Sequence, residues 1–272
     1  MQGKYKIGDV ARILGISADL IRYYEEKGVV SPEKDPSNKY RYYDTWDINY
    51  LIDCLWYKNY GFSIENVAQM VSTYTYPSLL EALENKTDEI RDEIRRKELL
   101  LQRIEKFRER LSTTRSLVGD FEIVTNQPFY YYINRHNSEY DDNIVLRELS
   151  RKWLKYMPFT RRYFEISRDA LAGGDDEYVW GFSVAPQYVE AFNIDVARPV
   201  AQMPETLCVH SAFKSAGLDR FSAHKLNFLL QYAEENGYTP TRNAFGNLAC
   251  SVLEDGVQTG YFEAWLPVTK AE

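Results

Sequence analysis

The chain has little of the material from which metal centres and disulfide frameworks are built. Among 272 residues there are three cysteines and three histidines. Cys54, Cys208 and Cys250 lie far apart among apolar neighbours, with no CxxC pair and no His/Cys cluster. A zinc site or a disulfide framework therefore has little support, and buried thiols are expected. His136, His210 and His224 form no motif, and no Ser-His-Asp or Cys-His constellation accompanies them, so neither an enzyme nor a cofactor is expected. Long apolar runs are also missing. None approaches the length of a membrane span, and Met1-Gln2-Gly3-Lys4-Tyr5-Lys6 lacks the apolar core of a signal peptide, which predicts a cytoplasmic protein with no membrane partner. Positive charge is in deficit, 33 Lys and Arg against 40 Asp and Glu, for a net charge of -7. Such a balance disfavours a broad non-specific nucleic-acid surface, so DNA binding would have to rest on locally placed cations.

Aromatic side chains are abundant. They make up 15% of the chain, with 22 tyrosines and five tryptophans. Tyrosine joins a polar tip to an apolar body, which suits binding surfaces as well as cores. Three zones separate along the sequence, at residues 1–77, 78–118 and 119–272. In the first, Ile7, Val10, Ala11 and Leu14 recur at helical spacing up to Gly15, and Ser17 offers an N-cap to a second helix that stops at Gly28. Two short helices joined by a glycine turn predict a helix-turn-helix, whose second helix enters the DNA major groove. The run from Ser31 to Asn38 is rich in turn formers, and Tyr40 to Tyr43 is prone to a returning strand. This predicts a wing carrying Lys39 and Arg41 beside tyrosines, with Arg placed to bond phosphate oxygens and Tyr hydroxyls to bond the backbone. Packing within the hairpin is the alternative role for Tyr40 and Tyr42.

The segments Ile7-Gly8-Asp9-Val10-Ala11, Gly15-Ile16-Ser17, Ile21-Arg22-Tyr23-Tyr24-Glu25-Glu26-Lys27-Gly28 and Tyr40-Arg41-Tyr42-Tyr43 together resemble the MerR-family DNA-binding domain. Lys58 to Val67 resembles that family's second helix pair. The resemblance implies that Arg22 and Tyr23 contact the DNA backbone and groove edge, and that Arg41 grips phosphate. Ser17 and Asp19 open the recognition helix, and Lys39 and Tyr42 complete the expected DNA-binding set. Where the family has Gly before Tyr-Arg in the wing, this chain has Asn38-Lys39, a change that keeps a turn-tolerant residue and adds a cation. The family's metal-sensing branches carry cysteines near the end of the long helix that follows. Residues 111–120 hold neither Cys nor His, so metal sensing is not expected.

The middle zone reads as one long charged helix. Leu80, Ile94 and Leu101 share one heptad position and Leu83, Ile90, Ile104 and Leu111 the other, interrupted by Thr87, Lys97 and Arg108. A narrow apolar stripe on so long a helix needs a partner helix. Packing on its own C-terminal zone is one solution. The resemblance favours the other, an antiparallel coiled coil between two protomers that sets two recognition helices on a two-fold site.

The last zone predicts strands at residues 129–133, 178–184, 206–213 and 260–268, with helices near 142–156 and 220–236. The order suggests a duplicated α+β domain. Met203 to Leu207, Gly237-Tyr238, Asn243 to Gly246 and Tyr261 to Val268 resemble the GyrI-like effector-binding domain, which follows MerR-type domains in multidrug-sensing regulators. Alternation in the closing strand puts Tyr261, Glu263 and Trp265 on one face, and a carboxylate flanked by rings can receive a lipophilic cation. The resemblance makes Glu263 the charge partner of the ligand. Phe245, Trp180, Tyr130 and Tyr132 are the further pocket candidates. The chain as a whole is thus expected to be an α+β protein with a winged helix-turn-helix, a dimerisation coiled-coil helix and an effector-binding domain. It would act as a homodimeric transcription regulator on double-stranded promoter DNA, with RNA polymerase and a small hydrophobic or cationic effector as partners. Two other readings of the last zone are hydrolysis of small electrophiles with Glu263 as general base, and docking of a protein partner on exposed aromatics.

Overall fold

The computed structural model describes residues 4–37, 39–216 and 221–270. It divides into two compact units, Met1–Lys97 and Glu98–Glu272. In the first, β1 (Tyr5–Lys6) leads into α1 (Ile7–Leu14) and α2 (Ala18–Glu26), followed by β2 (Glu33–Lys34), β3 (Arg41–Tyr43), α3 (Thr45–Asn59) and α4 (Ile64–Ser72). The three strands form a small antiparallel sheet in the order β1-β3-β2. Local chemistry fixes these boundaries. Gly15 ends α1 at φ 66°, a left-handed conformation that a side chain would oppose. The Leu20 amide donates to Ser17 Oγ at 3.1 Å to start α2, and Asp44 and Asp47 form a reciprocal capping box at the start of α3. Val10, Ile21, Tyr24, Tyr43, Leu51, Cys54 and Val67 are fully enclosed at the centre of this unit.

The long helix α5 (Tyr76–Ser116) starts in the first unit and ends in the second. Leu80, Ile90, Ile94, Leu101 and Ile104, all from the predicted heptad seam, stand exposed along it. Its last turns use a different face. Arg103 and Thr114 are buried there, as is Leu117 just past the helix end, and Leu99 and Leu100 pack against the core of the second unit. The helix therefore covers its own C-terminal unit with one stripe and leaves another uncovered.

The second unit continues with β4 (Phe121–Asn126), β5 (Phe129–His136), β6 (Glu139–Tyr140), α6 (Ile144–Leu154), β7 (Thr160–Ile166), α7 (Arg168–Leu171), β8 (Tyr178–Val184), α8 (Pro186–Phe192) and β9 (Ala201–Met203). It closes with β10 (Thr206–Ala216), a 3-10 turn (Ala223–Leu226), α9 (Asn227–Glu235), β11 (Tyr238–Pro240), β12 (Ala244–Glu254) and β13 (Val257–Lys270). The second predicted helix is thus shorter than the sequence pattern suggests, and Arg220, where that pattern begins, lies outside the described residues. One antiparallel sheet runs β4-β10-β13-β12-β7-β8-β5-β6, with β9 added beside β5 and β11 beside β13.

That order contains a repeat. In the first half, a strand (β5), a helix (α6) and a hairpin (β7, β8) place β8 between β5 and β7. In the second, β10, α9 and the hairpin β12, β13 place β13 between β10 and β12. The two halves meet where β7 pairs with β12, so the strand order is symmetric about that junction, and the expected duplication is visible in the topology. Period-2 alternation then sorts the side chains. Phe164, Phe262, Ala264 and Leu266 join the core under α9, Tyr132 joins the core with Trp153 of α6, and Tyr163, Phe245 and Trp265 lie together elsewhere.

Candidate functional site

The helix-turn-helix presents α2 with a fully used N-cap. Ser17 Oγ is occupied by the Leu20 amide, and Asp19 pairs with Arg22 at 2.5 Å on the exposed side of the helix. Arg22 is the outward cation of α2. Tyr23 differs from the sequence expectation, because its hydroxyl is buried without a hydrogen-bond partner and its ring lies 5.5 Å from Lys27 Nζ. In the conformation described it faces the packed side of α2, and so does not offer its hydroxyl outward.

The wing is a hairpin of β2 and β3 in which Lys34 pairs with Arg41 and Glu33 with Tyr42. Its turn is closed by Lys39 N to Asp35 O at 2.8 Å and Asp35 N to Tyr40 O at 3.0 Å. Asn38 lies outside the described residues, while Lys39 itself takes a left-handed φ of 57°. Arg41 Nε donates to Glu25 Oε1 at 2.8 Å, and the Tyr43 hydroxyl reaches Glu25 Oε2 at 3.5 Å. Glu25 belongs to α2, so the predicted phosphate cation also ties the wing to that helix. Lys4 pairs with Glu33 and Lys6 sits 5.1 Å over the Tyr40 ring, which adds cations to the same small sheet. Lys39 is exposed, and Tyr42 is half-buried in β3.

In the second unit, Glu263 on β13 is nearly inaccessible at 2%. Arg110 of α5 donates to its Oε2 through both Nε and an Nη, and Thr114 Oγ1 donates to Oε1 at 2.5 Å. Burial alone would raise the Glu263 carboxyl. The hydrogen bonds and charge of Arg110, helped by Thr114 and His210, outweigh it and leave the group below its ordinary value. One residue further along the same face, Trp265 stacks on His210 (4.3 Å, 4°) on one side and on Phe245 (5.6 Å, 13°) on the other, with Arg110 5.9 Å from its ring. Burial lowers the His210 pKa despite its 2.8 Å contact with Glu122 and so favours the neutral imidazole.

Phe245 and Trp265 form part of the wall of a cavity of about 320 Å³. Phe129, Phe159 and Tyr188 supply further aromatic wall, and Asn247 and Arg161 supply polar groups. Of the seven residues predicted to bind a ligand, these two line the cavity, and Glu263 is held beside it under Arg110. Tyr261 is elsewhere. Its hydroxyl bonds Glu254, Lys214 lies 4.8 Å over its ring, and it lines a separate hollow of about 190 Å³ with Leu111 and Arg115. Trp180, Tyr130 and Tyr132 do not join the site. Trp180 packs on Phe164, Phe221 and Phe262, and Tyr132 is buried edge-on against Trp153. Tyr130 packs against the same core as Tyr132. All three project from the opposite side of the sheet to Trp265, because alternation within β5 and β8 is set by the pairing register and not by aromatic character.

Arg110, Thr114, Arg161 and His210 were not legible as site residues. One signal was present. Arg103 and Arg110 recur at a spacing of seven on α5, and Leu117 follows at the same spacing just past its end, on a face other than the apolar seam. Among the described residues, no three His, Cys, Asp or Glu side chains come together to hold a metal, and no helix is long and apolar enough to cross a membrane.

Residues 5–73 match the family model described as "MerR HTH family regulatory protein". Over 71 residues the chain is 37% identical to the HTH-type transcriptional regulator CueR of Escherichia coli O157:H7, an overlap of 26% of this chain and 53% of that protein. It is 35% identical over 71 residues to the HTH-type transcriptional regulator AdhR of Bacillus subtilis (strain 168), 25% of this chain and 49% of that protein. The chain thus spans about half the length of the curated relatives it matches. Among solved structures, the EcmrR–DNA complex in EcmrR-RPo aligns over 98% of this chain and 100% of its own, with 18% identity and a TM-score of 0.38.

Proposed function

With a MerR-family helix-turn-helix over residues 5–73 as the premise, we propose that the protein is a dimeric, ligand-responsive transcription regulator of promoter DNA. The observation that carries this reading is that family match, on a segment whose geometry supplies an exposed recognition helix and a wing of cations tied to it. Arg22, Lys39 and Arg41 are the cations we assign to DNA, with Asp19 orienting Arg22 and Ser17 fixing the start of α2. Tyr42 braces the wing strand, and Tyr23 braces α2 from the packed side. Such contacts position a protein on the duplex, and sequence is read by whichever side chains of α2 reach base edges.

Dimerisation is assigned to the uncovered stripe of α5. Five large aliphatic side chains exposed in one line is more apolar surface than an isolated helix leaves in water, and a second copy of the same helix is the simplest cover. Two protomers then address two half-sites of cytoplasmic promoter DNA. By the family resemblance, RNA polymerase reads the result as a change in DNA deformation, a cost of a few kcal/mol that an effector shifts between states. The effector site is assigned to the aromatic cavity of the second unit, in a domain resembling the GyrI-like type. Its walls suit a lipophilic aromatic compound. We assign the protein no catalytic turnover.

The test is selection of duplexes from a random pool, followed by anisotropy titration with the best sequence. A two-fold-symmetric site bound by a dimer is expected. Failure to enrich any duplex at moderate salt would remove the reading.

A further inference from the structure

Charge inside the aromatic cavity is opposite in sign to what a drug-cation sensor needs. Arg161 of β7 is the one residue carrying a full charge among those that line it, and no carboxylate joins it there. Among the described residues its guanidinium makes no hydrogen bond and no ion pair, although it is half-buried. Glu263, the acid whose charge acts on it, is already bonded by Arg110 and Thr114. We propose that this cavity takes an aromatic anion, of the aryl carboxylate class, with Arg161 as its charge partner and Phe245 and Trp265 as its stacking walls. This deepens the effector assignment above and rests on it.

The physical reason is the cost of an unpaired charge away from water. A guanidinium stripped of part of its hydration and given no acid is stabilised by whatever anion enters. Burial, with the like charge of Arg110 and Arg103 added to it, pushes the Arg161 pKa down to about 9, which leaves it protonated at neutral pH. A lipophilic cation would meet that positive field, and would reach Glu263 only by displacing a two-point guanidinium–carboxylate contact. A carboxylate would gain the planar fork of Arg161, the geometry in which arginine binds such groups best. Asn247, buried on β12 with no side-chain hydrogen bond among the described residues, lines the same cavity and is placed to donate a second bond. Five aromatic rings around a volume of about 320 Å³ then select for a flat, ring-bearing acid over a small inorganic one.

Three isosteric probes decide it on the full chain: 2-naphthoate, 2-naphthamide and 2-naphthylmethylammonium, titrated by calorimetry and tryptophan fluorescence. Naphthoate is expected to bind at least tenfold tighter than either of the others. Arg161→Gln is expected to erase that preference while leaving naphthamide within about twofold, which reports an intact cavity. If that variant does not fold, the ranking of the three probes on the unaltered protein still decides. Equal binding, no binding by any probe, or tightest binding by the ammonium with its loss in Glu263→Gln would each overturn the proposal. Titrating the selected duplex in the same preparations keeps the two readings apart. DNA binding without a naphthoate preference sinks the anion site alone, and a naphthoate preference without DNA binding sinks the regulator alone.

Discussion

Replacing Arg110 with methionine would leave the Glu263 carboxylate buried on β13 with its principal counter-charge gone. Glu263 is 2% accessible, and both Oε2 contacts come from Arg110. Breaking a buried ion pair from one side costs about 3–5 kcal/mol, most of it the penalty for the charge left behind. The lower end applies here, because the Thr114 hydroxyl still donates and Arg161 still contributes positive charge. A loss of about 3 kcal/mol corresponds to a fall in melting temperature on the order of 10 °C for a unit of this size. Glu263→Gln removes the charge from the better-buried side. The Arg110 it strands is 18% exposed and can turn toward water, so that loss is expected to be smaller. The double variant is expected to recover most of the stability, since a buried pair exchanged as a unit is close to neutral. Urea unfolding at pH 7 followed by tryptophan emission measures all four corners of the cycle, with Trp265 beside the pair as a local reporter. The Arg110→Met deficit is also expected to shrink at pH 5, where an unpaired and desolvated Glu263 can accept a proton. A coupling energy below about 0.5 kcal/mol, or a double variant as unstable as the sum of the singles, would refute the argument.

Three further outcomes follow from the same geometry. Arg41→Ala is expected to weaken DNA binding across all sequences and to lower the salt slope of the association constant by about one unit per protomer, read by anisotropy between low and physiological salt. An unchanged slope would detach the wing from the duplex. Ile94→Lys with Leu101→Lys is expected to turn the dimer into a monomer in sedimentation equilibrium while the far-UV spectrum stays helical. Retention of the dimer would place the interface off this stripe. The second unit is expected to lose stability in acid in two steps. His210, held neutral by burial, penalises folding as pH falls below its ordinary value of 6.5, and the depressed Glu263 carboxyl does so below its ordinary 4.5. Melting temperatures from pH 8 to 3 in His210→Gln and Glu263→Gln test this, each variant flattening its own step.

Local rules carried the N-terminal reading far. Gly15, Ser17 and Gly28 mark the ends of α1 and α2 within a residue, because caps and left-handed glycines act over a single turn of chain. The length of α5 and the exposed heptad seam were legible for the same reason, since a seven-residue repeat is written in the chain itself. So were four strands of the second unit and the face that Tyr261, Glu263 and Trp265 share. Strands β7 and β12 were not read as such. Thr160–Ile166 carries two arginines and a glutamate, and Ala244–Glu254 is rich in small residues. Gly246 is needed because a Cβ there would strike the Phe164 ring and the Glu263 carbonyl, a contact between three strands that no single segment announces.

Register is what tertiary structure alone decided. Trp180, Tyr130 and Tyr132 have the right chemistry for the cavity and point to the other side of the sheet, because pairing sets which alternate residues face which layer. Glu263 has the charge for a cation and is covered by α5, a helix that begins at Tyr76, far earlier in the chain. Arg161 has no motif around it. Its role depends on which acids act on it, and in this fold Glu263 is already held by Arg110 and Thr114. Sequence determined the elements and the faces available to each. Long-range packing determined which charges cancel and which one is left over, since Coulomb and desolvation energies depend on distance and burial and not on position along the chain.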